Sequence, residues 1–127
     1  MTHRSRLFAV VIDVPAQDHD REVGFWQGAT GQELARIGRY PQFSGARLPQ
    51  QDLALLVQRL GTGPARVHLD IHTDDVDAEV ARLEALGATR VGQEGHWWIM
   101  EDPAGLPFCV VPDPQGTLTD DNSQRWD

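Results

Sequence analysis

Apolar residues fall at spacings that mark out one series of elements twice. LFAVVIDV (7–14) reads as a buried strand, since its apolar run continues unbroken until Asp13. After the turn PAQD, His19 to Thr30 reads as a helix with Val23, Trp26 and Thr30 on one face, weakened by about 1 kcal/mol at each of Gly24 and Gly28 relative to alanine. Strands are then expected near Leu34–Arg39, at Phe43–Leu48 and over residues 52–60. The second series begins with RVHLDI (66–71) and the turn HTDD. It continues with a helix whose Val76, Val80, Leu83 and Leu86 make one stripe, Asp74 being placed to cap it and Gly87 to end it. The strands ATRV, HWWIMED and PFCVV follow, separated by Gly-rich or Pro-rich turns.

Each half is thus strand, helix and three strands, a βαβββ order covering about residues 6–62 and then 66–112. Shifted by 57 residues, Asp13 falls on Asp70, Asp20 on Asp77, Glu22 on Glu79 and Val23 on Val80, while Val11 falls on His68. Residues 1–112 are expected to form a single domain, and the polar, acidic stretch 113–127 a loose tail in which Trp126 is the residue able to dock.

The strand RVHLDIHT carries the most chemistry. Alternation puts His68, Asp70 and His72 on one face and Val67, Leu69 and Ile71 on the other. The apolar set is expected beneath the helix and the polar set facing a ligand cleft, with His72 in solvent at the strand end. At about 3.3 Å per residue, His68 and His72 stand roughly 13 Å apart with near-parallel side chains, too far to share one ion. His68 with Asp70 is feasible if other strands supply donors, the candidates being His96, Glu101, Cys109 and Asp13. A pocket-lining histidine without metal is the competing reading of His68, and an inert buried thiol that of Cys109. Trp97 and Trp98 point to opposite faces of their strand, so one of them enters the cleft, bringing Glu101 if it is Trp97 and His96 if it is Trp98.

Composition narrows the field. All eleven basic residues are arginine, which excludes lysine Schiff-base chemistry. A net charge of -8 opposes binding to nucleic acid and favours neutral or cationic small molecules. The apolar run near the amino terminus is too short for a signal core or a membrane span, and the lone Cys109 gives no reason for an oxidising compartment, so a cytoplasmic protein is expected.

The repeated βαβββ order, GFW in the first helix, VHLDIHTDDVDAEVARLEALGA, and the ending EDPAGLPFCVV resemble the glyoxalase, bleomycin-resistance and extradiol-dioxygenase superfamily, the vicinal oxygen chelate proteins. The resemblance covers roughly residues 6–112 and is closest to the compact glyoxalase-like members. It implies an α+β fold of two modules with cupped mixed sheets and outer helices, often a homodimer, with metal ligands on the first and last strands of a module. Here His68 occupies one such position, Val11 stands at its equivalent in the first half, and Cys109 stands where glutamate is usual. The expected function is small-molecule binding in the cleft, lined by His68, Asp70, Trp97, Trp98 and Glu101, without a complete metal set. The alternatives are a metal-dependent lyase or isomerase of the glyoxalase I type, with Zn, Ni, Fe or Mn held by His68 and either Glu101 or Cys109, and a non-enzymatic antibiotic-sequestering protein. A dioxygenase is less favoured than a lyase or isomerase.

Overall fold

In the computed structural model, which describes residues 2–127, nearly every expected element forms. The first half runs β1 (His3–Pro15), a 3-10 turn at Ala16–Asp18, α1 (His19–Thr30), β2 (Ala35–Arg36), β3 (Phe43–Leu48) and β4 (Leu53–Leu60). The second runs β5 (Arg66–Thr73), α2 (Val76–Ala85), β6 (Thr89–Glu94), β7 (Trp97–Glu101), β8 (Pro107–Pro112) and β9 (Gln124–Trp126). The chain divides into two compact units, residues 9–68 and the residues up to Phe8 together with 69–127.

In the unit of residues 9–68 the sheet order is β2, β3, β4, β1, with β1 and β4 parallel and the other pairs antiparallel. Ile12 and Val14, two apart on β1, join Leu34, Leu55 and Val57 in a buried cluster, and Val23 and Trp26 of α1 pack onto it. The helix ends where Gly31 adopts φ 70° and returns its N–H to the Gln27 carbonyl, a left-handed cap that glycine adopts without a Cβ penalty. The strand expected over Leu34–Arg39 shrinks to two residues, because the Gln27 side chain accepts from the Leu34 N–H and Tyr40 turns back to Ile37.

In the other unit β5 runs parallel to β8, and β7 and β6 follow antiparallel, giving the order β5, β8, β7, β6. Val80, Met100 and Val110 form its buried cluster, flanked by Val76, Leu83, Trp98 and Phe108. The DPAG turn closes β7 onto β8: Asp102 accepts from the N–H groups of Ala104 and Leu106, and Gly105 takes φ 90°.

Three expectations change. Asp75, not Asp74, caps α2, accepting from the Ala78 N–H at 3.1 Å, while Asp74 receives the Arg4 N–H at 2.8 Å. Helix α2 lies over β8, β7 and β6, so Val67 and Leu69 stay 57% and 42% exposed instead of packing beneath it. The stretch expected to be loose carries β9, paired antiparallel with His3–Ser5 of β1. Mixed, open-edged sheets with two helices among the described residues make the fold α+β. Among those residues no helix is long and apolar enough to cross a membrane.

Candidate functional site

Asp13 is an acid in an apolar strand. It is 2% exposed, between Ile12 and Val14 at 8% and 2%. Burying a carboxylate costs several kcal/mol unless it is paired, on the order of the desolvation penalty of one ion. The partner is His68, whose Nδ1 lies 2.5 Å from Asp13 Oδ2. An ionised carboxylate accepts only, and against it the hydrogen of this pair sits on Nδ1. Asp13 Oδ1 is buried and has no hydrogen-bond partner among the described residues.

Asp70, buried at 8% exposure, stands in register with Cys109 across the parallel β5–β8 pair, and Ile99 is next in register on β7. A carboxylate oxygen of Asp70 and Sγ of Cys109, both in the unit that contains residues 69–127, lie within 4.8 Å of each other. Oxygen and sulfur donors together suit zinc and neighbouring first-row divalent ions. The chemistry of this donor pair therefore fits a divalent cation. Glu101 is exposed and lies outside the group, as does His96.

The two tryptophans separate as alternation requires. Register through Ile99 puts Trp97 and Glu101 on the sheet face of Asp70 and Cys109. Trp98 is on the opposite face, packed against the Val80, Met100 and Val110 cluster, with the Arg90 guanidinium 5.1 Å from its ring. His72, expected in solvent, is instead held: its Nδ1 is 2.8 Å from Asp113 Oδ1 and its ring stacks on Phe8 at 3.8 Å between centroids. Asp113 and Phe8 were invisible as partners because both lie far from His72 in sequence, and no local spacing marks them. The role of Asp13 had a trace, since the repeat places it on Asp70.

Register shows how the halves differ. Asp13 faces Gln58 across the parallel β1–β4 pair, as Asp70 faces Cys109 across β5–β8. The first half therefore presents Val11, Asp13 and Gln58 where the second presents His68, Asp70 and Cys109. Valine offers no donor, so the first half lacks the imidazole that begins the set in the second.

The profile of the glyoxalase-like domain matches residues 9–111. The chain belongs to the glyoxalase-like domain family. With it comes the vicinal oxygen chelate fold, which the solved structures repeat at low identity. Methylmalonyl-CoA epimerase from Mycobacterium tuberculosis is 18% identical with a TM-score of 0.54, over 85% of this chain and 87% of that one. A 4-hydroxymandelate synthase mutant from Streptomyces coelicolor is 11% identical with a TM-score of 0.60, over 94% of this chain and 52% of that one. A Legionella pneumophila structure described as NAD-dependent benzaldehyde dehydrogenase is 10% identical with a TM-score of 0.60, over 81% and 97%. No curated protein matches the sequence. Three such different activities on one scaffold mean that this chain's reaction must be argued from its own side chains.

Proposed function

We propose that this glyoxalase-like chain binds a small organic molecule against the polar face of β5, beside the Asp13–His68 pair. The observation that carries this reading is the buried Asp13 carboxylate, which spends one oxygen on His68 and keeps the other without a partner among the described residues. Such an acceptor in a buried position suits a hydroxyl or amine donated by a ligand. Trp97, on the face of Asp70 and Cys109, supplies a flat apolar surface for the rest of that molecule. The reading takes residues 1–112 as one domain working as a homodimer in a reducing cytoplasm, where Cys109 stays a thiol.

A second reading is favoured by Asp70 and Cys109, whose oxygen and sulfur donors lie within 4.8 Å of each other. In it His68 is proposed as a further ligand, the cation being Zn, Ni, Fe or Mn, and the protein is a lyase or isomerase of the glyoxalase I type. The cation would supply Lewis acidity toward oxygen atoms of the bound molecule. This set holds one imidazole, one carboxylate and one thiolate, which differs from the two histidines and one carboxylate of non-haem iron oxygenases and disfavours an extradiol dioxygenase. Sequestration of an antibiotic is the non-enzymatic form of the first reading.

Elemental analysis of protein purified without chelator or histidine tag, alongside His68→Ala, separates the two. About one equivalent of metal per chain in the parent and none in the variant supports the cation reading. A thermal-shift screen tests the first: a compound that raises the parent's melting temperature but not that of Asp13→Ala supports it. Absence of binding by every compound class, with the parent intact, overturns it.

A further inference from the structure

We propose that the first half of the chain holds a subsite for an organic ammonium, with Asp13 as its counter-ion, Gln58 beside it and the rings of Phe43 and Tyr40 as an aromatic wall. The proposal rests on the first reading above and specifies the charge of the molecule which that reading binds. All four residues belong to the compact unit of residues 9–68. Their placement follows from strand register. Asp13 of β1 stands opposite Gln58 of β4, and Gln58 stands opposite Phe43 of β3. Residues in register across a sheet share a face, so these three side chains form one row. The face is the one turned away from α1, because Ile12, Val14 and Val57, which alternate with Asp13 and Gln58 along their strands, carry Val23 and Trp26 of the helix.

The row changes in character along its length. The Asp13 side chain is 3% exposed, whereas Gln58, Phe43 and Tyr40 are half-buried. Tyr40 meets Phe43 edge to face, with 6.5 Å between ring centroids. Neighbouring strands lie about 4.8 Å apart, so the backbones of Asp13 and Phe43 stand roughly 10 Å from each other. A short amine that bears an aromatic ring spans such a distance. Leu56, next on this face of β4, leans over Gly45, where a Cβ would meet its Cδ2 at 2.2 Å, and gives the row an apolar margin.

The acid sets the charge of the ligand. Asp13 Oδ2 is taken by His68, and Oδ1 is buried without a hydrogen-bond partner among the described residues. An unmet buried acceptor is costly, and a charge-assisted N–H bond is the strongest hydrogen bond that can meet it. Aromatic faces attract cations through their quadrupole, and the Gln58 amide oxygen is a further acceptor. The cation on this face of β3, Arg47, is bonded to Asp52 at 2.9 Å. An anionic ligand would meet Asp13 with like charge, in a chain whose net charge is already -8.

The test is a chemical-shift titration of the full chain at pH 7 with 2-phenylethylamine, 2-phenylethanol and 3-phenylpropionate as probes. The amine is expected to bind about 10-fold more tightly than the alcohol, with shifts at the amides of Asp13, Gln58 and Phe43, and the anion not to bind. Asp13→Asn is expected to weaken the amine about 10–100-fold, and Phe43→Ala about 3–10-fold. Glu33→Gln removes an exposed acid of the same unit and is expected to match the parent, which separates a site from general attraction to an acidic chain. Phe43→Ala leaves the Asp13–His68 pair in place, so the wall is tested even where Asp13→Asn fails to fold. The proposal is overturned if the alcohol binds as tightly as the amine, if Glu33→Gln weakens the amine as much as Phe43→Ala does, or if the shifts fall outside residues 9–68. Failure of every compound class to bind removes the first reading itself, whereas binding of other compounds without a preference for the amine removes this proposal alone.

Discussion

The Arg82 guanidinium lies over the indole of Trp126, 3.8 Å from the ring centroid. The indole Nε1–H donates to Ser5 Oγ at 2.9 Å, and Arg82 reaches on to Glu79 with two bonds of 2.8 Å. One tryptophan near the carboxy terminus thus joins β9, β1 and α2 within a single unit. Trp126→Ala removes the cation–π contact and a hydrogen bond, and is expected to cost about 1–3 kcal/mol in urea unfolding. Unfolding indistinguishable from the parent would show that β9 merely lies against the surface.

Glu79 gives a pH dependence. It is fully buried, which by itself raises its pKa, but hydrogen bonds from Arg82, His3 and Ser5 and the charge of Arg82 outweigh burial and hold it below the usual glutamate value. A depressed folded-state pKa contributes stability that is present above the unfolded-state value and lost as pH falls through the folded-state one. Denaturant titrations should therefore show the parent losing stability from the ordinary glutamate range downward. In Glu79→Gln the neutral-pH stability should be lower and that part of the acid limb flattened. An unchanged acid limb in the variant would contradict this assignment.

Gly45 sits in β3 opposite Leu56. A Cβ there would come 2.2 Å from Leu56 Cδ2 and 2.9 Å from the Leu55 carbonyl oxygen, and the backbone atom cannot step aside cheaply. Gly45→Ala is expected to destabilise by about 1–3 kcal/mol, the usual range for overpacking. Thermal denaturation is sufficient to read it.

Asp75 and Asp74 make a paired comparison at the start of α2. Asp75→Ala removes the side-chain cap on the Ala78 N–H and should cost about 1 kcal/mol. Asp74→Ala instead releases the Arg4 N–H, so amide hydrogen exchange should quicken at Arg4 and stay slow at Ala78. The opposite pattern would restore Asp74 as the cap.

The elements were legible because their signals are local. The Val76, Val80, Leu83 spacing, the glycine-closed turns and the alternation along β5 each depend on residues within a turn or two of one another. The choice between Asp74 and Asp75 was beyond that reach, since a neighbouring strand claimed the first of them. The site divides the same way. Alternation placed His68 with Asp70, and Cys109 stood out by its place on the last strand. The bonds from Asp13 to His68 and from Asp113 to His72 join residues 55 and 41 positions apart, and only the folded chain reveals them. The acidic end misled because its composition suits a solvated segment, whereas three residues of strand and one indole suffice to anchor it.

The use of Asp13 to hold His68 also limits how the two halves can change from here. Giving the first half its own imidazole would need a substitution at Val11, a better donor at Gln58, and withdrawal of Asp13 from the ring it supports. The last of these would leave the ring of His68 without the carboxylate that holds it. Symmetry between the two halves, once broken in this manner, is held broken by a ratchet: the first half's counterpart of Asp70 is already engaged with the first histidine of β5.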